Sequence, residues 1–417
     1  MIILFRVDTG TIIGTGHLMR CLNLAEKLTQ YYTNCKIIWA TTNHPNNLIS
    51  RIPDSDYIIQ LKPDKDHIMT EDTFTWLGNI DYDIQQILSG LNNIIEYDVQ
   101  SIDLLVIDHY GIDYRWESKF LGALDSHNTL LNSSILNSSK NLPIQIKKIL
   151  VIDDLANRDH ICDYLVDSTY ISNHNQSNHK TNKTNNKYHK NQLISPETVA
   201  LLGSKYVMIN SAFNDYKNTN QDIYITYTFS TTFRISISFG GADIQNITGQ
   251  VLKSILQEYQ SIPNVIIDII LGGLNQHRTS IMNQIKDFHN IVDPALPTGP
   301  IINLYQNLSY RDLVKLLEQT HLNIGAGGVS LYERCYLGIP SIIITLAENQ
   351  LENVLNMQQD DIITYIGNLD TWSHQDLIKS INKYRANQVY WEQCCQRCKS
   401  IIDDQGCTRI INALDLQ

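Results

Sequence analysis

Short apolar runs separated by amphipathic stretches dominate the chain. Residues 2–7, 36–40, 104–107 and 149–152 are apolar and strand-length. Between the first two, Leu18, Cys21, Leu22, Ala25 and Leu28 fall on one face of a helix over 18–31. Such strands alternating with helices predict a parallel sheet covered on both faces. A second series starts at 234–239 and continues at 265–271, 322–324 and 341–345, each run followed by a helical pattern. It predicts a second α/β domain. The polar stretch 213–233 has no helical stripe and is the expected hinge, which puts the domains at 1–217 and 218–417. Two Asn-rich stretches, 126–145 and 172–192, read as insertions in the first domain. The second has almost no apolar residue and is expected to be a mobile surface loop with nothing to bury.

Composition narrows the partners. The 417 residues are 43% hydrophobic, enough apolar mass for two cores. Lys and Arg number 32 against 43 Asp and Glu, a net charge of -11 and the wrong sign for a broad grip on nucleic acid or an anionic membrane. A phosphate-bearing ligand needs a local site. No apolar run approaches the roughly 18 to 20 residues of a membrane span, and the opening MIILFRVD has no basic leader region, so it reads as the first strand of a cytoplasmic protein; a monomer is expected. The eight cysteines are scattered and expected as reduced thiols. Cys395 and Cys398 form a CxxC, but helical periodicity over 387–414 makes Cys394, Cys395, Cys398 and Cys407 helix-packing residues. His174, His179 and His189 in the second insertion have no carboxylate or cysteine nearby, and no metal site is expected there or elsewhere.

Three segments carry candidate chemistry. In Arg6 to Arg20, RVDTGTIIGTGHLMR, a strand passes Gly14 and Gly16 and enters a helix at His17. The glycines let backbone approach a ligand. His17 then sits in the first turn at the carboxyl end of a parallel strand, where open α/β sheets bind ligands. A helix start disfavours imidazolium, so His17 is expected to be neutral, the state a general base needs. From spacing alone, a simple helix-capping role stays open. The second segment, ISISFGGAD, runs a strand into Gly240 and Gly241 and offers a candidate phosphate turn. In the third, LNIGAGGVSLYE, a strand ends at Gly325, Gly327 and Gly328, and the next helix offers free N–H groups and the Ser330 hydroxyl to an anion. Glu333 lies about a turn and a half further along. It could accept hydrogen bonds from vicinal ribose hydroxyls, or it could be an ordinary exposed helix charge.

Taken together, Arg6-Val-Asp8, Ile13-Gly-Thr-Gly-His17, Arg20-Cys21, Val106-Ile-Asp-His-Tyr110, Val151-Ile-Asp-Asp-Leu-Ala-Asn-Arg158, Ser238-Phe-Gly-Gly-Ala-Asp243, Ala326-Gly-Gly, Leu337-Gly-Ile-Pro340 and Ala347-Glu-Asn-Gln350 resemble the UDP-sugar hydrolases of pseudaminic acid biosynthesis. These enzymes release UDP from UDP-2,4-diacetamido-2,4,6-trideoxy-β-L-altropyranose. The blocks occur in family order through both domains. Thr11 stands where the family often has serine, and the chain is longer than usual members. The resemblance implies a GT-B-like fold of two Rossmann-like domains with parallel sheets facing a central cleft, nucleotide on the C-terminal side and sugar on the N-terminal side. It implies that His17 is the catalytic base, that Gly14 and Gly16 shape the sugar and diphosphate pocket, that Asp8 fixes the same loop, and that Tyr110 faces the sugar. It further implies that Gly240, Gly241, Gly327, Gly328 and Ser330 contact the nucleotide, that Glu333 holds its ribose, and that Asn349 and Gln350 lie at its sugar end. No cofactor is implied. A GT-B glycosyltransferase using a UDP-N-acetylated donor, or an inactive nucleotide-sugar binding protein, remain the alternatives.

Overall fold

The computed structural model describes residues 1–70, 72–95, 101–134, 144–176, 186–214, 232–258, 264–291 and 299–416. The expected strands are present: β1 (Ile2–Val7), β2 (Lys36–Thr42), β5 (Leu104–Asp108), β7 (Ile149–Ile152), β10 (Phe233–Ser238), β11 (Val265–Leu271), β13 (Leu322–Gly325) and β14 (Ser341–Thr345). Periodicity alone did not single out β3 (Tyr57–Leu61), β8 (Tyr164–Asp167), β9 (Val199–Leu202), β12 (Ile301–Gln306) and β15 (Thr364–Asn368), nor the short pair β4 (Ser101–Ile102) and β6 (Gln145–Ile146).

The chain forms two compact units: residues 1–168, 177–208 and 405–417 make the first, and residues 169–176 and 209–404 the second. This division differs from a single cut after residue 217. The periodicity over 387–414 is two helices, Gln388–Ser400 and Gly406–Ala413. The second of them belongs to the first unit, where Cys407, Ile410 and Ile411 join its core. The expected hinge lies largely outside the described residues, as do parts of both insertions.

The first unit is a seven-stranded parallel sheet in the order β3-β2-β1-β5-β7-β8-β9. Alternation along β1 loads both faces: Ile3, Phe5 and Val7 pack with the helix Gly16–Tyr31. Leu4 faces the layer of Ile84, Ile87, Trp116 and Phe120 on helices Ile80–Ile95 and Tyr114–Ser134. Strand order reverses at the β1/β5 seam, the switch point where a crevice opens at the carboxyl ends of an open sheet.

The described ends of the second insertion, 172–176 and 186–192, are anchored, where a loop with nothing to bury was expected. Tyr188 is fully buried with Leu165 and Ile194, and its hydroxyl donates to the Asp153 carbonyl at 2.6 Å. At the other end Ser172 is buried and donates to Asp360 at 3.0 Å. A single buried aromatic residue in a polar stretch is a signal that average composition does not register.

The second unit is a six-stranded parallel sheet in the order β12-β11-β10-β13-β14-β15. One face is apolar: Ile235, Ile237, Ile267, Ile269, Leu322 and Ile324 pack with the helices Ile247–Glu258, His374–Ala386 and Gln388–Ser400. Across the other face the register aligns a polar row, Asn303, Asp268, Ser236, Asn323 and Ser341. Asn323 donates to the Ser236 hydroxyl at 2.8 Å and Asn303 to Asp268 at 2.8 Å. All eight cysteines are free thiols, as expected. Among the described residues no helix is long and apolar enough to cross a membrane.

Candidate functional site

In the first unit three adjacent strands, β1, β5 and β7, deliver acids at their carboxyl ends: Asp8, Asp108, and Asp153 with Asp154. After Asp8 the chain makes a tight turn, with paired backbone hydrogen bonds between Gly10 and Gly14. Gly14 has φ +83°, a left-handed conformation that explains its residue type. The helix then starts at Gly16, placing His17 and Arg20 on one face, three residues apart.

His17 lies against Asp108, with Nδ1 2.6 Å from Oδ1. Ionised carboxylate only accepts, so Nδ1 carries the hydrogen and the Nε2 lone pair is left for an incoming proton. The 3.3 Å contact from Arg20 to the same Nδ1 is secondary to that bond. Arg20 grips Asp108 with two nitrogens, Nε to Oδ2 at 2.6 Å and Nη2 to Oδ1 at 2.7 Å. This guanidinium and the His17 contact overcome the desolvation of Asp108 and hold its carboxyl far below the usual range. The third Arg20 nitrogen reaches Asp154 at 3.0 Å, and Asp154 accepts the Tyr110 hydroxyl. The Tyr110 ring returns to His17, meeting it edge-on at 4.4 Å. The contacts thus close a ring: His17, Asp108, Arg20, Asp154, Tyr110. Ile13 and Trp76 pack with Tyr110 as an apolar wall.

Asp8 lies outside this ring. It is buried in its own network, paired with Arg6 at 2.6 Å and accepting from the Thr42 amide at 2.7 Å and His109 Nε2 at 3.1 Å. Arg6 also pairs with Asp83 at 2.6 Å. Asp8 therefore organises strand ends, and the carboxylates joined to His17 are Asp108 and Asp154. These two and Arg20 are the residues sequence reasoning missed. They stood inside the quoted motifs, and the available signal was an acid just past each of two central strands.

In the second unit β13 ends at Gly325 and the helix Val329–Leu337 begins with Gly328 as its cap residue, without any side-chain cap. Its first turn is therefore open to an anion. A Cβ on Gly327 would come within 2.4 Å of Val354, whereas one on Gly328 would meet nothing within 4 Å. The first glycine permits close packing and the second leaves room. Gln350 Oε1 accepts from the amides of Gly327 at 3.2 Å and Leu346 at 3.1 Å, so this side chain ties the glycine turn to the end of β14. Asn349 beside it is exposed. Arg334 braces the turn from below, donating to the Ala326 carbonyl at 2.8 Å and to the Ser330 hydroxyl at 3.0 Å, which leaves the Ser330 hydrogen to donate.

Glu333 is buried and, among the described residues, no protein group hydrogen-bonds its carboxyl; desolvation pushes it up to about 7. It is not an ordinary exposed helix charge. Gly240 has φ +82° at the end of β10. The following helix is already capped: Asp243 accepts from the amides of Ile247 at 2.8 Å and Thr248 at 3.0 Å. The Gly240–Gly241 turn thus leads to a satisfied helix end, unlike the turn at Gly328.

No family model matches the chain. It is 24% identical over 347 residues to the uncharacterized protein MJ1062 of Methanocaldococcus jannaschii, covering 83% of this chain and 55% of that protein. It is 19% identical over 209 residues to the spore coat polysaccharide biosynthesis protein SpsG of Bacillus subtilis, covering 50% of this chain and 56% of that one. The matches thus span just over half the length of either relative. Among solved structures it is similar to MurG of Acinetobacter baumannii, with TM-score 0.57, 12% identity, and 100% and 99% of the two chains covered. It is also similar to S. aureus MnaA in complex with UDP, with TM-score 0.55, 12% identity, and 99% and 95% covered. A third is the UDP-GlcNAc 2-epimerase of Neisseria meningitidis bound to UDP-GlcNAc, with TM-score 0.52, 12% identity and 99% of each chain covered. The fold is GT-B-like, with two parallel α/β domains.

Proposed function

We propose that the protein is a UDP-sugar hydrolase in which His17 activates water at the anomeric carbon. The observation that carries this reading is the 2.6 Å contact of His17 Nδ1 with Asp108, which leaves Nε2 as a proton acceptor oriented by a buried carboxylate. In the reaction the water oxygen bonds to C1, its proton passes to His17 Nε2, and the C1–O bond breaks with its electron pair leaving on the UDP β-phosphate. The uncapped helix start at Gly328 and the Ser330 hydroxyl meet the charge of the diphosphate. Glu333 accepts the ribose hydroxyls, which gives its unpartnered carboxyl a partner. Gly327 and Gln350 set the turn, and Asn349 lies toward the sugar end. Gly14, Gly16 and Tyr110 border the sugar. Asp8 supports their loop through the strand ends, and Gly240 lies beside the nucleotide.

Support for the ligand class comes from the fold, which is also that of proteins solved with UDP and UDP-GlcNAc, and from the relative in polysaccharide biosynthesis. The motif resemblance favours a 2,4-diacetamido-2,4,6-trideoxyhexose as the sugar. The test is UDP release from purified protein with donor and water only, across a panel of UDP-N-acetylated sugars. His17→Ala is expected to lower turnover about 100-fold or more while retaining UDP binding. Release only when a sugar acceptor is added would make the protein a transferase, and near-normal turnover in the variant would remove His17 from the chemistry.

A further inference from the structure

The ring around His17 has a charge count that its obvious partner does not explain. Asp108 touches the imidazole, yet both its oxygens also accept from Arg20, so its negative charge is matched by a guanidinium before His17 is considered. Were Asp108 and Arg20 the whole cluster, a proton taken by His17 would leave an uncompensated positive charge in a buried place. Asp154 changes the sum. With His17 neutral, the charges of Asp108, Arg20 and Asp154 add to -1. With His17 protonated they add to zero. A cluster removed from water is favoured when its charges cancel.

We propose that Asp154 is a positioning residue that sets the proton affinity of His17, acting through Arg20 and Tyr110. This deepens the hydrolase reading and rests on His17 as its base. The arrangement suits the role. Asp154 spends one oxygen on Arg20 Nη1 at 3.0 Å and the other on the Tyr110 hydroxyl, and its side chain is 24% exposed where those of Asp108 and Arg20 are 0% and 5% exposed. It is the acid of the ring that solvent or ligand reaches.

The other charged groups nearby pair among themselves, each of the two clusters keeping one carboxylate in excess while its histidines are neutral. At the end of β7, Arg158 lies 5.3 Å from the Tyr110 ring centre and pairs with Asp153 at 2.6 Å. His160 contacts Glu117 at 2.7 Å and lies 3.9 Å from Asp153. On the β1 side Arg6 stands between Asp8 and Asp83, with His109 and His44 on Asp8. On the helix of His17 itself, Cys21 donates to Asp108 at 3.4 Å. Ile13 and Trp76, which close the remaining side, carry no charge.

The experiment follows the His17 imidazole by NMR through its ring Cε1–H signal in the full-length protein, assigned by its loss in His17→Gln. Asp154→Asn keeps an acceptor for Tyr110 and removes the charge; it is expected to lower the titration midpoint of His17 by about one pH unit, a tenfold loss of proton affinity. Asp154→Glu keeps the charge and is expected to restore most of the shift. The acidic limb of the kcat/KM profile moves to lower pH by the same amount in Asp154→Asn, with kcat falling more than KM changes. An unchanged midpoint in Asp154→Asn overturns the inference, as does a Glu variant shifted as far as the Asn variant. If Asp154→Asn does not fold, Asp154→Ser carries the same two readouts. The NMR midpoints decide the inference even if no UDP-sugar is hydrolysed, whereas absence of hydrolysis by the wild-type protein contradicts the functional reading alone.

Discussion

Replacing Glu333 by glutamine should make the protein more stable and worse at binding nucleoside. The carboxyl is buried without a protein partner and titrates at about 7 where 4.5 is ordinary, the main cause being desolvation, partly offset by neighbouring Arg334. At ~1.4 kcal/mol per pH unit, holding it ionised at pH 8 costs on the order of 3 kcal/mol. The sign follows from proton binding. Between about 4.5 and about 7 the folded chain holds this proton more tightly than the unfolded chain, so the group's contribution to stability falls as pH rises through that window and is level on either side. Glu333→Gln has no such loss. Urea unfolding of the second unit should therefore give nearly coincident curves for variant and wild type at pH 4.5, and a variant more stable by up to about 3 kcal/mol at pH 8. Uridine, which carries no titrating phosphate, supplies the functional half. Ribose hydroxyls donating to the carboxylate favour its ionised form, so wild-type affinity should drop as pH falls from 8 to 5.5, while the variant binds weakly with little pH dependence. Equal stability increments at both pH values would refute the buried-charge argument, and unchanged uridine affinity would refute the ribose role.

Other consequences are simpler to check. Asp108→Asn weakens the bonds Asp108 accepts from Arg20, whose charge Asp154 still matches, and should cost about 1 to 3 kcal/mol in chemical denaturation, besides lowering turnover about 100-fold or more by releasing the His17 tautomer; a variant of normal turnover would detach Asp108 from the mechanism. Tyr188→Phe should cost about 1 to 2 kcal/mol and Tyr188→Ala about 3 to 5 kcal/mol in the same measurement, because the ring is fully buried and its hydroxyl is bonded; losses near zero would return the 172–192 stretch to a dispensable loop. Chelator treatment is expected to leave UDP release unchanged, since no group of three or more His, Cys, Asp or Glu side chains among the described residues is placed to hold a metal ion; loss of activity restored by one added metal would contradict this.

The sequence was most legible where a strand is buried on both sides. Ile2–Val7 and Val265–Leu271 read as strands because each is apolar but for one charged residue, Arg6 or Asp268, and their observed bounds match. Edge strands were not legible. Tyr57–Leu61 and Thr364–Asn368 lie at the ends of their sheets, have exposed positions, and mix polar residues into short runs. His17 was found because two glycines and an amphipathic helix bracket it. Asp108 and Asp154 were not assigned roles, because an acid after a strand is also an ordinary turn residue, and their convergence depends on β1, β5 and β7 being neighbours. The likeness of the Gly240 and Gly328 turns was misleading in a different way: what separates them is whether an Asp two or three residues on accepts from the first amides of the helix ahead.

In the proposed reaction water attacks the anomeric carbon with His17 as the base. This step is tested most directly by hydrolysing the UDP-sugar in ¹⁸O-labelled water, locating the label by mass spectrometry and reading the first-formed anomer by NMR before mutarotation. A single displacement at carbon predicts label on the C1 oxygen of the sugar, none in UDP, and an inverted anomeric centre. Label in the UDP phosphate would contradict attack at carbon, and a retained anomer would contradict a single displacement assisted by one base.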